Sequence, residues 1–163
     1  MLKLWQRGSK TRDLFKLLHK HYLPSNCYAL NSDLELVEKK PVPFIAARLD
    51  FKLEGDSVSF AEVIAYNQLI QQPAPWRIPV YLVEALRPFD DGEMKEVIAK
   101  AKAHRFRIYE YLGGDPYPSP PIVKKQLVIA SIDWNGLREW ETRLRERRRN
   151  EMERYLSMQL HGH

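Results

Sequence analysis

The sequence predicts one α/β domain: a mixed sheet flanked by helices, followed by a long C-terminal helix. Three observations carry this. Apolar stretches with two-residue alternation recur between stretches of helical periodicity. Pro and Gly fall at the joints between them. The chain has 163 residues, 44% of them hydrophobic, enough for one core and too many for a disordered chain.

Residues 11–22, "TRDLFKLLHKHY", place Leu14, Leu17, Leu18 and Tyr22 at helical spacing, and Pro24 ends the segment. "NSDLELVEK" then alternates, with Asp33, Glu35 and Val37 on one side and Leu34 and Leu36 on the other, as in a strand with one acidic face. Pro41 and Pro43 precede a second strand, "PFIAARLDFKLEG". There Ile45, Ala47, Leu49, Phe51 and Leu53 share one face, and Arg48, Asp50 and Lys52 the other. "SFAE", Ser59 to Glu62, has capping-box spacing and predicts a helix with Phe60, Val63, Ile64 and Ile70 inward, stopped by Pro73. "IPVYLVEAL" reads as a buried strand. "DDGEMKEVIAKAKAH" reads as an amphipathic helix and "RFRIYEYLGG" as a further strand. "GGDPYPSPP" predicts an irregular loop, and "KKQLVIASIDW" one more strand. From Asp133 a long helix sets Trp134, Leu137, Trp140 and Leu144 at helical spacing, with Glu139 and Arg143 paired at i,i+4. The expected organisation is an α/β core over 1–125, with 126–163 adding a strand and a basic amphipathic helix packed on it.

Cys27, the only cysteine, excludes an internal disulfide framework and a cysteine zinc cluster, which suits a reducing interior. No run approaches the roughly 18 apolar residues that span a bilayer. The expectation is a soluble cytoplasmic protein without a membrane partner. A net charge of +5 favours a polyanionic partner.

The chemistry-bearing residues are Asp33 on the acidic strand, and Asp50 and Lys52 two apart on the next, so that both project from one face. Two carboxylates and an ammonium can converge there. Hard cations such as Mg²⁺ are commonly held by one or two carboxylates. Metal-bound water is easier to deprotonate, and a neighbouring Lys neutralises charge developing on a phosphate. Such a site would hydrolyse a phosphodiester.

At these residues the chain resembles the PD-(D/E)xK nuclease superfamily, whose signature is an Asp on one strand and Asp/Glu-x-Lys on the next. "SDLEL" supplies Asp33, and "LDFKL" supplies Asp50, Phe51 and Lys52. The order of elements from Thr11 to about Ala85 matches that core; Ser32 stands where the signature has Pro. The resemblance implies a restriction-endonuclease-like αβββαβ core, as in Holliday-junction resolvases, and a metal-dependent nuclease acting on DNA with Mg²⁺ or Mn²⁺. Asp33, Asp50 and Lys52 would be catalytic, and Asp33, Asp50 and Phe51 would hold the metal. Glu35 would be auxiliary, as would Gln68, the counterpart of a helix-borne Glu or Gln.

Plainer readings stand beside these. Asp33 and Glu35 fit a solvated strand face, and Asp50 with Lys52 a surface ion pair. A second register makes Asp50 the first acid and Glu62 the next, leaving no lysine, and the capping box argues against it. "RLRERRR", from Arg143 to Arg149, reads either as a solvated helix face or as a phosphate-contacting surface through Arg143, Arg147 and Arg148. The alternative function is accordingly a catalytically inactive nuclease fold that binds nucleic acid or a protein through its basic helix. A homodimer would suit symmetric cutting of two strands. His19 and His21 are two apart on a helix and make no metal pair. His161 and His163 lie at the chain end. Cys27 reads as a packing residue, Trp134 and Trp140 as helix anchors, and "GGD" at residues 113–115 as a turn.

Overall fold

The computed structural model describes residues 17–19, 29–30, 33–86 and 102–161, with residues 29, 30 and 33 described through the backbone alone. A six-stranded sheet runs in sequence order: β1 (Ala29–Leu30), β2 (Asp33–Glu38), β3 (Phe44–Leu53), β4 (Val80–Ala85), β5 (Phe106–Asp115) and β6 (Ile122–Ile132). Neighbours are antiparallel except β3 and β4. That parallel pair needs a crossover, which helix α1 (Phe60–Ile70) supplies. Helix α2 (Trp134–His161) follows β6 directly. Residues 17–19 are helical, as expected. The rest of that helix, the helix expected before His104, and His21 and Cys27 lie outside the described residues. No helix among the described residues is long and apolar enough to cross a membrane.

The sheet buries both faces. On one, Leu49 and Phe51 of β3, Tyr81 and Val83 of β4, and Phe106 and Ile108 of β5 pack with Trp134, Leu137, Trp140, Leu144 and Met152 of α2. Trp140 meets Tyr81 edge to face at 4.9 Å, and Trp134 meets Phe106 at 4.7 Å, so both tryptophans anchor α2 as expected. On the other face, Val80 and Leu82 of β4 and Tyr111 of β5 pack with Val63 and Tyr66 of α1.

The face of α1 departs from expectation. Phe60 and Ile64 are exposed, and the inward stripe is Val63, Tyr66 and Ile70. Tyr66 displaces the aliphatic residues because its ring stacks edge to face on Tyr111 at 5.5 Å while its hydroxyl finds a carboxylate. "GGD" is another departure: Gly113, Gly114 and Asp115 continue β5, opposite Lys124, Val123 and Ile122. Glycine permits this because Gly113 has φ +128°, and a Cβ on Gly114 would stand 2.7 Å from the Ile122 carbonyl oxygen.

The charged run on α2 is used internally. The β2–β3 register shifts between Leu36 and Val37, passing over Ala46, whose carbonyl accepts from Arg148 Nε at 3.0 Å. Arg148 Nη2 donates to the carbonyls of Pro75 (3.0 Å) and Arg77 (2.8 Å). Arg145 pairs with the buried Glu38, which also accepts from Arg149 at 3.2 Å. Glu141, fully buried, meets His19 Nε2 at 2.7 and 3.0 Å, tying the helical turn at 17–19 to α2.

Arg148 therefore splices α2 to β3 and to the segment before β4. Arg148→Ala leaves three carbonyls without their donor and is expected to cost about 3–5 kcal/mol. Arg143→Ala, on the exposed side of the same run, should cost no more than about 0.5 kcal/mol. Urea denaturation midpoints of the two variants check the contrast, and equal losses would refute the clamp.

Candidate functional site

The acidic and basic groups gather where β3 ends. Alternation sends Leu49 and Phe51 into the α2-side core and leaves Arg48, Asp50 and Lys52 on the face that α1 covers. Because α1 returns from the carboxyl end of β3 to the start of β4, its first turn lies over the end of β3. The capping box is formed: Ser59 Oγ accepts from the Glu62 amide at 3.2 Å, and Glu62 Oε1 accepts from the Ser59 amide at 3.0 Å. The same Glu62 carboxylate also accepts from Lys52 Nζ, at 2.9 Å on Oε1 and 2.8 Å on Oε2. Tyr66 Oη donates to Oε2 at 3.1 Å. Lys52 Nζ lies 3.3 Å from Asp50 Oδ2.

The strand side of this cluster is buried, and Glu62 forms its partly exposed edge. Asp50 is fully buried and Lys52 is 6% exposed. Burial pushes the Lys52 ammonium toward neutrality, yet the charges and hydrogen bonds of Asp50 and Glu62 hold its pKa above the ordinary 10.5. For Glu62, burial favours the neutral acid. Hydrogen bonding with Asp50, Lys52 and the Ser59 amide outweighs it, and the pKa falls to about 2. At neutral pH the cluster is thus an ionised Glu62 clamped on a protonated Lys52 beside Asp50.

A network behind the cluster fixes α1. Tyr111 Oη donates to Asn67 Oδ1 at 2.7 Å, which also accepts from the Gly114 amide at 3.1 Å. Asn67 Nδ2 returns a bond to the Gly114 carbonyl at 2.9 Å. Arg48 lies over the Tyr66 ring at 5.5 Å.

The sequence-predicted residues divide as follows. Asp50 and Lys52 come together. The β2–β3 register ends with Leu34 opposite Leu49, so one further step brings the Asp33 backbone alongside Asp50; the Asp33 side chain lies outside the described residues. Glu35 faces Arg48 across the ladder, in an ion pair at 3.8 Å. The Phe51 side chain is buried against the α2-side core, so only its backbone oxygen is available to a cation. Gln68 is on the exposed side of α1, away from the cluster. Arg143 and Arg147 are exposed, whereas Arg148 is turned inward onto backbone carbonyls. Among the described residues no group of three or more His, Cys, Asp or Glu is set to hold a metal. The donors that are present, two carboxylates, are hard oxygen ligands of the kind Mg²⁺ accepts.

Glu62 is the residue that sequence reasoning set aside. The capping box and the ion cluster are not alternatives, since one carboxylate has four lone-pair positions and serves the amide, the ammonium and the tyrosine at once. The signal was present in "SFAE", because N3 of a crossover helix stands over the carboxyl end of the preceding strand.

The low pKa of Glu62 carries a pH signature. A carboxylate depressed in the folded state contributes stability above its unfolded pKa of about 4.5, and that contribution is lost as the pH falls toward about 2. Thermal melts of the wild type should therefore decline across this window. Glu62→Gln should be less stable at neutral pH and show a flatter decline; parallel wild-type and variant curves would contradict the assignment.

Comparison of the chain with protein-family models, curated proteins and solved structures returns no match.

Proposed function

We propose that this protein is a metal-dependent nuclease of the PD-(D/E)xK type, with a restriction-endonuclease-like αβββαβ core, which hydrolyses phosphodiester bonds in DNA. The observation that carries the proposal is the buried pair Asp50 and Lys52 on the face of β3, at the strand end where an acidic strand and a crossover helix meet. The order of helical turn, antiparallel β1–β2–β3, crossover helix and parallel β4 supports the same reading.

Asp50 with Asp33 would hold Mg²⁺ or Mn²⁺, and Glu62 is a third carboxylate within reach of the same Lys52. The ion would polarise the phosphodiester and lower the pKa of an attacking water. Lys52, protonated well above neutral pH, supplies a fixed positive charge for the developing phosphorane oxygens. Glu62 positions Lys52 by holding two of its donors, and Tyr66 and the Ser59 amide hold Glu62. The exposed Arg143 and Arg147 would contact phosphates beyond the scissile one.

A second reading is favoured by one observation: Lys52 is neutralised on two sides by Asp50 and Glu62, as in an ion cluster that simply closes the fold. On that reading the protein is a catalytically inactive nuclease fold that binds nucleic acid or a protein partner through the exposed arginines of α2.

Cleavage of supercoiled plasmid and of labelled oligonucleotides with Mg²⁺ or Mn²⁺ separates the two. The enzyme reading expects metal-dependent cleavage, abolished by EDTA and reduced at least about a hundredfold in both Asp50→Asn and Lys52→Ala. Calorimetric metal binding should disappear in Asp50→Asn while DNA affinity persists. Metal-independent cleavage, or unchanged cleavage in Asp50→Asn, refutes it.

A further inference from the structure

The end of the molecule formed by β4, β5 and α2 carries a cleft of about 590 Å³ that the acid cluster does not use. Its position separates it from the acid cluster. Tyr81, at its base, belongs to the core under α2, whereas Asp50 and Lys52 lie on the face under α1.

Its charge is unbalanced. Arg77, Arg147, Arg148 and Arg154 line it, against Glu110 and Glu151. Arg148 is committed to backbone carbonyls and to Glu151. Arg77 uses Nε on the Ile70 carbonyl at 3.1 Å, which leaves its terminal nitrogens as donors. Arg147 has only a long contact of 3.4 Å to the buried Tyr81 hydroxyl, and Arg154 has no hydrogen bond or ion pair among the described residues. Three guanidinium groups around one cleft, with a single uncommitted carboxylate, repel one another, and an anion relieves that repulsion. A guanidinium fork suits phosphate oxygens in particular.

The remaining wall is largely apolar. Tyr155 is held edge-on against Trp76 at 6.4 Å, and Ala74, Pro75, Pro79 and Met158 complete the lining. A bare anion would leave this surface unused. A planar aromatic group attached to the anion would cover it, at the favourable stacking energy aromatic faces give to nucleobases.

We infer that this cleft binds a nucleoside phosphate, with the phosphate on Arg77, Arg147 and Arg154 and the base against Tyr155 and Met158. Two sources present that chemistry: a free nucleotide, and the phosphorylated end of a nucleic-acid strand. The inference shares Arg147 with the phosphate contacts proposed above but does not rest on the nuclease reading, because no group of the acid cluster takes part.

Calorimetric titration of the full chain with thymidine 5′-monophosphate, thymidine and inorganic phosphate tests it, alongside short oligothymidylates with and without a 5′-phosphate. Saturable binding is expected for the mononucleotide or for the phosphorylated strand, at least about tenfold tighter than for the same molecule without phosphate. A mononucleotide that binds as tightly as the strand identifies a free nucleotide, and binding confined to the phosphorylated strand identifies a strand end. Arg147→Ala combined with Arg154→Ala, both on the exposed side of α2, should weaken binding at least about tenfold with the circular dichroism spectrum unchanged. Tyr155→Ala should weaken the nucleotide and leave inorganic phosphate unaffected. Asp50→Asn should bind like the wild type, which keeps this outcome apart from that of the cleavage assay. The inference is overturned if neither phosphorylated probe saturates, if removing the phosphate changes nothing, if inorganic phosphate binds as tightly as the nucleotide, or if the double variant binds unchanged.

Discussion

An ammonium group buried at the end of a strand must have counter-charge, and much of this structure follows from how Lys52 obtains it. Stripping water from a lysine costs several kcal/mol, and an unpaired buried lysine would lose its proton. Here the Asp50 and Glu62 carboxylates keep Lys52 charged despite its 6% exposure. Glu62 can do this only if the first turn of α1 lies over the end of β3, so the ion pair fixes where the crossover begins. The capping box fixes the rotation of that turn, because the same carboxylate must also reach the Ser59 amide. One residue thereby joins helix initiation to the placement of the charged cluster.

The sheet has two faces with different assignments. Under α1, polar groups are admitted: Arg48, Asp50 and Lys52 project there, and Tyr66, Asn67 and Tyr111 complete a hydrogen-bonded layer with the backbone of Gly114. Under α2 the core is aromatic and aliphatic, and the charges that enter it are paired or bonded to carbonyls. The arginine run of α2 shows how. Leu137, Trp140, Glu141, Leu144, Arg145, Arg148 and Met152 form one buried stripe at steps of three and four. Arg145 and Arg148 belong to that stripe by position, and Glu38 and the bulged carbonyl of Ala46 supply their partners. Arg143, Arg147 and Arg154 fall outside it and remain open to ligands.

Strand patterns were readable because alternation is a local property. The chemistry-bearing face of β3 followed from Asp50 and Lys52 being two residues apart, and α1 followed from the spacing of Ser59 and Glu62. Three features were not readable in this way. Gly113 to Asp115 continue a strand because β6 returns beside them, and their pairing partners, Lys124 to Ile122, lie across a loop that the local pattern does not span. Gln68 and Glu62 both lie on α1, and only the rotation of that helix on the sheet decides that Glu62 meets Lys52 while Gln68 faces out. Arg148 looks like its neighbours in the run until the carbonyls of Ala46, Pro75 and Arg77 are brought to it from two other segments.

The sequence by itself determined the strand character of β2 to β4, the start of α1, the long α2 and the shared face of Asp50 and Lys52, since each depends on residues within a turn or a pleat of one another. Tertiary structure alone decided which acid completes the cluster, which arginines are buried and where a basic, aromatic cleft opens. Those outcomes depend on which backbone and side-chain groups from distant segments come within about 3 Å of a charge, and desolvation leaves a buried charge no other way to remain there.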